Sequence, residues 1–183
     1  MRYLSTSLND AWVVETTQIK DSRGKFGRFF CEDDLRVILK QRTICQINYS
    51  HTIQKGAIRG MHYQNPPKSE TKMVRCIAGE VFDVMIDLRK NSPTFLKWHG
   101  EILTAENMKL LFIPEGFAHG FQTLHPNSEL LYLHTEFYSP EHEGGVCYND
   151  PKIGIKWPLE VTEISDKDKK YFFLSQNFEG IQL

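Results

Sequence analysis

The sequence has no surplus of charge of either sign. Its 22 Lys and Arg residues are balanced by 23 Asp and Glu residues, which leaves a formal net charge of −1. A surface that binds a polyanion needs a local excess of basic residues, and the composition gives no sign of one. We therefore expect no nucleic-acid partner, although single arginines can still contact one or two phosphates.

The sequence also has few cysteines and no long apolar run. The four cysteines lie far apart, at Cys31, Cys45, Cys76 and Cys147, and form neither a zinc cluster nor a thioredoxin-like CxxC motif. No stretch reaches the roughly 20 apolar residues of a membrane-spanning helix, and the N-terminus lacks an apolar run of signal-peptide length. We expect reduced thiols in a soluble, cytoplasmic protein without a membrane partner.

What the sequence does contain is a series of short strand-like runs with Gly and Pro between them. The 183 residues, 40% of them hydrophobic, suit one domain over residues 1–183 with a sizeable core. The runs predict strands at Trp12 to Thr17, Phe26 to Cys31, Thr43 to Ser50, Ala57 to Gln64, Glu101 to Leu103, Leu110 to Ile113, Ala118 to Leu124 and Glu129 to Thr135. This pattern predicts a mainly β fold, a barrel or jelly roll with a few short helices.

Local signals predict three further features. Asp21 to Gly24 is typical of a turn, and Glu32 to Lys40 is typical of a helix, with acidic residues in its first turn and a lysine at its end. Between Lys72 and Arg89, two apolar runs flank Gly79-Glu80 as the strands of a hairpin would.

The stretch from Gly56 to Lys72 concentrates polar side chains suited to a site. In an extended strand Gly60, His62 and Gln64 share one face, so His62 has a small neighbour and room for a ligand. A buried structural histidine is the alternative interpretation. Arg59 is three residues before His62, so in a regular strand its side chain would point to the opposite face. We expect a bulge at Gly60 to turn Arg59 towards the face of His62.

Two later segments also attract attention. Ser165 lies three residues before Asp168, which is typical of a capping box on a short surface helix.

The segment IPEGFAHGF, with His119, resembles the second motif of the cupins, which are small jelly rolls (double-stranded β-helices). Metal-binding cupins carry HxH in their first motif, whereas this chain has His62-Tyr63-Gln64 and, further along, Lys72. Because an ammonium group repels a divalent cation, we expect a metal-free site for an anionic ligand.

Six segments in register make a more specific resemblance. They are RGMHYQNPP, KMVRCIAGEVFDVMIDLRKNSPTF, TAEN, IPEGFAHGFQTL, ELLYLHTEFYSPEHEGG and NDPKIGIKWP. Together they resemble the dTDP-4-dehydrorhamnose 3,5-epimerase family, metal-free cupin epimerases of nucleotide sugars, from about residue 23 to residue 168. The resemblance implies a cupin-type jelly roll, no cofactor, a nucleotide-sugar substrate and a homodimer with exchanged N-terminal strands.

The resemblance also implies catalytic roles. Epimerisation beside a ketone needs a base, a group that stabilises the enolate, and an acid on the opposite face. His62 matches the base, Asp168 its carboxylate partner, Lys72 the cation near the 4-keto oxygen, and Tyr132 the acid. A barrel-lining tyrosine is the alternative for Tyr132. A nucleotide-sugar-binding cupin without activity is the alternative for the whole chain, and the presence of all four residues favours an enzyme acting at C3, C5 or both.

The resemblance implies a further set of substrate contacts. These match Arg23, Arg28, Gln46, Ile47, Asn48, Arg59, Gln64, His119, Tyr138, Glu143 and Lys167. For Arg23 and Glu143 the alternative is a solvated loop charge.

Arg28 departs from the family pattern, which has a glutamate that contacts the thymine at this position. Arginine only donates hydrogen bonds, so it cannot accept one from the thymine N3–H, and such a mismatch costs about 1–3 kcal/mol. We predict that CDP competes at least as well as dTDP, and that Arg28→Glu shifts the preference towards dTDP. Calorimetric titration of both nucleotides measures this, and a tenfold wild-type preference for dTDP that Arg28→Glu leaves unchanged would contradict it.

Overall fold

Thirteen β-strands carry most of the regular structure in the computed structural model, which describes residues 1–183. The strands are β1 (Arg2–Ser5), β2 (Trp12–Glu15), β3 (Gln18–Asp21), β4 (Gly24–Gly27), β5 (Gln46–Thr52), β6 (Ile58–Gln64), β7 (Lys72–Ala78), β8 (Glu80–Asp87), β9 (Trp98–Thr104), β10 (Lys109–Ile113), β11 (Phe117–Thr123), β12 (Ser128–His134) and β13 (Glu143–Gly145). One α-helix, α1 (Glu32–Leu39), and two 3₁₀ turns, Pro140–His142 and Asp168–Lys170, complete the elements. None of these helices has the length and apolar character that crossing a membrane requires.

The strands form two antiparallel sheets and a separate hairpin. One sheet has the order β1-β2-β10-β7-β12-β5, the other has the order β13-β6-β11-β8-β9, and β3 pairs with β4 alone. Non-consecutive neighbours in both sheets are typical of a jelly roll, because the chain passes repeatedly from one sheet to the other. The mainly β, cupin-type jelly roll predicted from the sequence is confirmed.

The core has three apolar layers, one between the sheets and one on each outer face. Val74 and Met85 meet between the sheets, whereas Met73 points outward to helix α1 and Val84 points outward to the C-terminal segment near Ile153. Because central strands are buried on both faces, their sequences are nearly continuous apolar runs rather than alternating ones. Helix α1 begins and ends within one residue of its predicted bounds and buries Leu35, Ile38 and Leu39.

The hairpin predicted at Gly79-Glu80 is wrong, although both of its strands exist. Strand β7 pairs with β10 and β12, while β8 pairs with β9 and β11 in the other sheet. The chain crosses between sheets at Gly79, where φ is +74° and a Cβ would lie 2.5 Å from Ser128 Oγ. A strand buried on both faces looks the same in the sequence whichever neighbours it pairs with, so the local pattern could not distinguish a crossover from a hairpin.

Two smaller boundaries also differ from the prediction. The strand expected over Phe26 to Cys31 ends at Gly27, because β4 pairs only with β3 and the residues beyond it leave the hairpin. The strand expected over Thr43 to Ser50 is shifted to Gln46–Thr52, where it pairs with β12. The turn predicted at Asp21 to Gly24 closes the β3–β4 hairpin.

The bulge predicted at Gly60 is confirmed. Between the pairs His119↔His62 and Phe121↔Arg59, β11 advances two residues and β6 advances three. Gly60 has φ +124°, and a Cβ there would lie 2.6 Å from the Gly120 Cα. The extra residue brings Arg59 and His62 to the same cavity.

We predict that Gly60→Ala lowers the free energy of unfolding far more than Gly24→Ala does. Both glycines have positive φ, but nothing lies within 4 Å of a Cβ at Gly24. Gly24→Ala therefore measures backbone strain alone, about 1–3 kcal/mol, and Gly60→Ala adds a collision with the β11 backbone. Urea unfolding of both variants tests this, and equal losses would show that the close approach of β6 to β11 has little energetic weight.

Candidate active site

A cavity of about 590 Å³ opens between the two sheets at one end of the jelly roll. Strands of both sheets line it, together with the segment from Glu163 to Asp168. On the inner faces, apolar Val74 and Leu130 give way to Lys72 and His134 along the same strands. The cavity is therefore the polar end of an otherwise apolar interior.

His62 and Asp168 form a hydrogen-bonded pair in this cavity. The Nε2 atom of His62 lies 2.7 Å from Oδ1 of Asp168, and Oδ2 accepts a hydrogen bond from the Gly60 N–H at 3.1 Å. Burial raises the pKa of the Asp168 carboxyl, but the hydrogen bonds from His62 and Gly60 outweigh that effect and hold the pKa below its ordinary value. A carboxylate on Nε2–H leaves Nδ1 as the basic nitrogen, and Nδ1 has no protein partner.

Asp168 is also the acidic residue of the predicted capping box, three residues after Ser165. Ser165 Oγ accepts a hydrogen bond from the Asp168 N–H at 3.1 Å, as a capping serine does. Both oxygens of the carboxylate are held by β6, through His62 and Gly60. The cap and the contact with His62 are thus made by different groups of the same residue.

Lys72 projects into the cavity from the start of β7 and is buried with a carboxylate. Its Nζ lies 3.0 Å from Oε1 of Glu70, and both side chains are at most 10% exposed. Oε2 of Glu70 lies 2.6 Å from Nδ1 of His134. Burial raises the pKa of the Glu70 carboxyl, but the hydrogen bond from His134 and the charge of Lys72 outweigh it, so the pKa lies below its ordinary value.

Tyr132 faces the cavity from β12, between two histidines. Its hydroxyl lies 3.0 Å from Ser50 Oγ, and its ring packs edge-on against His119 and stacks with His134. Burial raises the pKa of the Tyr132 hydroxyl well above its ordinary value. The phenol therefore keeps its proton at neutral pH and can donate it.

His119 is held from behind by a buried acid. Its Nε2 lies 2.8 Å from Oδ1 of Asp83, and both side chains are almost fully buried. Burial raises the pKa of the Asp83 carboxyl despite the neighbouring imidazole, and Oδ2 of Asp83 has no hydrogen-bond partner.

The other binding residues predicted from the sequence fall into two groups, and the first lies at or near the cavity. Arg59 is held at its wall by Thr52 and the His51 carbonyl, and Asn48 lines it from β5. Beside the cavity Tyr138 donates a hydrogen bond to Glu143, which also pairs with Lys167. Gln46 accepts a hydrogen bond from the Tyr138 N–H.

The second group is not brought to the cavity. Arg23 lies at the tip of the β3–β4 hairpin, paired with Asp21, and Arg28 is paired with Asp34 at 2.9 Å. Ile47 is 63% exposed, on the β5 face opposite its cavity-lining neighbour. Gln64 is buried, and its amide is held by the backbone of Lys68, Phe137 and Ser139.

Four polar residues of the site were not predicted from the sequence. Ser50 and His134 line the cavity, and Glu70 and Asp83 lie behind Lys72 and His119. A signal existed for two of them, since Asp83 interrupts an apolar strand and His134 shares a strand face with Tyr132. Glu70 and Ser50 belong to polar stretches and give no such signal. No three or more His, Cys, Asp and Glu side chains are grouped as a metal site would require.

A family model described as dTDP-4-dehydrorhamnose 3,5-epimerase matches residues 5–176 of the chain. The chain belongs to this family. It is 48% identical over 172 residues to a dTDP-4-dehydrorhamnose 3,5-epimerase of Pseudomonas aeruginosa, and the match covers 93% of this chain and 94% of that protein.

Solved structures of the epimerase family agree with this placement. A crystal structure of dTDP-4-dehydrorhamnose 3,5-epimerase from Bacillus anthracis with TDP and PPi bound has a TM-score of 0.91 and 39% identity, covering 94% of this chain and 99% of that one. A 3'-monoepimerase from Streptomyces bikiniensis in complex with dTDP-quinovose has a TM-score of 0.85 and 30% identity, covering 92% of this chain and 85% of that one. The family fold thus accommodates proteins that differ in the number of centres they epimerise.

We predict that the stabilisation supplied by the Asp168 carboxylate disappears in acid. Because its folded-state pKa lies below the unfolded-state value of about 4, the carboxylate stabilises fully above that value and loses its effect as the pH falls through the folded-state pKa. Asp168→Asn should be about 2 kcal/mol less stable than wild type at pH 7, with the gap closing towards pH 3.

Urea unfolding at a series of pH values measures this gap. Asp166→Asn is the matched control, because Asp166 lies two residues earlier with its side chain 92% exposed. A gap for Asp168→Asn that is the same at pH 7 and pH 3 would contradict the prediction.

Proposed function

We propose that this protein epimerises a nucleotide-linked 4-keto-6-deoxyhexose at C3, C5 or both, in deoxysugar biosynthesis and without a cofactor. The observation that carries the proposal is the cavity itself, which gathers the His62–Asp168 pair, Lys72 and Tyr132. Membership of the dTDP-4-dehydrorhamnose 3,5-epimerase family supports the substrate class and the type of reaction.

His62 is the proposed base. Hydrogen on a carbon beside a ketone is weakly acidic, and its removal leaves an electron pair that moves into an enolate. Asp168 holds the Nε2–H of His62, so Nδ1 can accept that proton. The carboxylate then stabilises the imidazolium that forms, as a buried acid does in other hydrogen-bonded His–Asp pairs.

Lys72 and Tyr132 complete the proposed reaction. The negative charge of the enolate develops on the 4-keto oxygen, and a buried ammonium stabilises it strongly because little water screens the interaction. Tyr132, which keeps its proton at neutral pH, returns a proton to the opposite face of the carbon. One proton leaves to His62 and one arrives from Tyr132, so configuration inverts with no change in oxidation state.

The nucleotide is proposed to extend from Arg59 and His119 to the cluster of Tyr138, Glu143 and Lys167. Arg59 offers donors for the diphosphate or sugar, and His119 offers the ring nitrogen that Asp83 leaves free. Exposed Tyr138 offers a ring face for the base. Gln46 and Asn48 on β5 are the remaining proposed contacts in this region.

A homodimer is proposed as the working form, in the cytoplasm. The β3–β4 hairpin leaves Ile19 65% and Phe26 72% exposed, with Arg23 and Arg28 close by in the chain, and it pairs with no other strand. Exposed apolar surface of this kind is typical of an interface. All four cysteines are free, which suits a reducing compartment.

Two alternatives differ from this function. One is a 3-only or 5-only epimerase that acts on a CDP-sugar or another nucleotide sugar, and the likeness to a 3'-monoepimerase supports its single-centre chemistry. An inactive nucleotide-sugar-binding cupin would have no need for the complete set of His62, Asp168, Lys72 and Tyr132.

We predict different results for His62→Asn and Tyr132→Phe when solvent deuterium enters the 4-keto sugar. Without its base, His62→Asn should lower exchange at every carbon by at least about 100-fold. Tyr132→Phe loses only a hydroxyl, so deuterium should still enter through His62, but with retained configuration.

NMR of the sugar nucleotide follows both position and configuration of the deuterium. His125→Asn, at an exposed turn, controls for the loss of an imidazole. Exchange at the wild-type rate in folded His62→Asn would assign the base elsewhere, and inverted product from Tyr132→Phe would assign the acid elsewhere. No exchange in the wild type would favour the binding protein.

A further inference from the structure

A chain of hydrogen bonds connects the nucleotide side of the cavity with Lys72. It passes through two amides, an imidazole and a carboxylate, none of which is needed to donate or accept the reacting protons. The links are Tyr138 N–H to Gln46 Oε1 (3.1 Å), Gln46 Nε2 to Asn48 Oδ1 (3.2 Å), Asn48 Nδ2 to His134 Nε2 (3.3 Å), His134 Nδ1 to Glu70 Oε2 (2.6 Å) and Lys72 Nζ to Glu70 Oε1 (3.0 Å).

The backbone donor at the start of this chain fixes every later group. A backbone N–H can only donate, so Gln46 must turn its oxygen to Tyr138 and its NH₂ to Asn48. Asn48 then turns its own NH₂ to His134, whose Nε2 must accept and therefore carries no proton. The proton of a neutral His134 is thus on Nδ1, where it donates to Glu70.

The other end of the chain explains why this tautomer matters. Glu70 is a buried carboxylate shared between the Nδ1–H of His134 and the ammonium of Lys72. The carboxylate gives the buried ammonium a partner of opposite charge at 3.0 Å. One of the three ammonium protons points to Glu70, so two stay free for an oxygen of the substrate.

We propose that Glu70 and His134 are positioning residues that hold the ammonium of Lys72 towards the reacting oxygen, and that tie its position to the β5 amides beside the nucleotide. The chemical part rests on the proposed function. Neither residue needs to contact the substrate for this role, because Glu70 acts through Lys72 and His134 acts through Glu70.

The competing explanation is that the network has only a structural role. The two explanations predict different effects of its loss on stability, on kcat and on the affinity for nucleotide. If the network only satisfies buried polar groups, its loss lowers stability and leaves kcat close to normal in the folded protein. If it positions Lys72, its loss at the Glu70 end lowers kcat while the affinity for the free nucleotide stays the same.

The first test needs no substitution and no substrate. In ¹⁵N NMR of the labelled wild-type protein, the ring nitrogens of His134 should show one protonated nitrogen, Nδ1, and one unprotonated nitrogen, Nε2, at pH 7.5. A proton on Nε2 instead, or on both nitrogens, would overturn the arrangement from which the proposal is built. His134→Gln provides the assignment of the signals.

The second test is Glu70→Gln, which keeps the shape of the side chain and removes its charge. We expect kcat for deuterium exchange to fall about 100-fold, as for other losses of a charge-stabilising donor. The dissociation constant for dTDP or CDP, whichever the wild type binds more tightly, should change by less than about twofold. Glu101→Gln is the control, because Glu101 forms a similar pair with Lys109 at 3.1 Å away from the cavity.

The third test ranks two substitutions at His134. His134→Gln can still donate to Glu70 and accept from Asn48, so we expect exchange within a few-fold of wild type, whereas His134→Leu should lose at least about tenfold. If the role of His134 is only structural, kcat should be equal in the two variants or higher in His134→Leu, since leucine fills the site without polar groups. Unchanged kcat in both Glu70→Gln and His134→Leu would overturn the proposal.

Failure of the proposed function looks different from failure of this inference. Wild-type protein that binds nucleotide but exchanges no proton would overturn the epimerase proposal, and with it the role of Glu70 in exchange. The NMR measurement of the His134 tautomer would still test the hydrogen-bond arrangement, because it needs no activity. Normal wild-type exchange with unaffected variants would overturn only the positioning role.

Discussion

The carboxylate of Asp168 is the contact on which the geometry of the cavity depends. One oxygen orients the imidazole of His62, and the other holds the N–H of Gly60 at the bulge that brings Arg59 to the same wall. A single buried charge therefore joins the C-terminal segment to β6 and fixes a side chain and a backbone irregularity together. Asparagine, which has the same shape without the charge, could not accept both hydrogen bonds in this way, because its amide has only one oxygen.

The interior of the jelly roll changes from apolar to polar along individual strands. On β12, Leu130 belongs to the core, Tyr132 to the cavity wall and His134 to a buried ion-pair network, all on one face. Because each polar group there has lost its water, each must find a partner, and the partners form extended sets rather than isolated pairs. Asp83, with one oxygen unpartnered, is the visible exception.

The sequence predicted most strands, the helix and the Gly60 bulge, because those depend on local periodicity and on backbone conformations that only glycine adopts readily. It failed at Gly79, because pairing is decided by distant strands. The same limit applies to the site. His62 and Lys72 stand out from their neighbours, whereas Glu70 gains its importance only when folding brings it to His134, 64 residues away along the chain.

The separation of His62 and Asp168 along the chain also affects when the site can form during synthesis. These residues are 106 positions apart, so at about 5–20 residues per second the ribosome needs roughly 5 to 20 seconds to add the second after the first. During that interval β6 can already emerge with its histidine unpartnered, while the segment that covers the outer face of its sheet is still missing. The site of a nascent chain is therefore incomplete until Asp168 has been added and can reach His62.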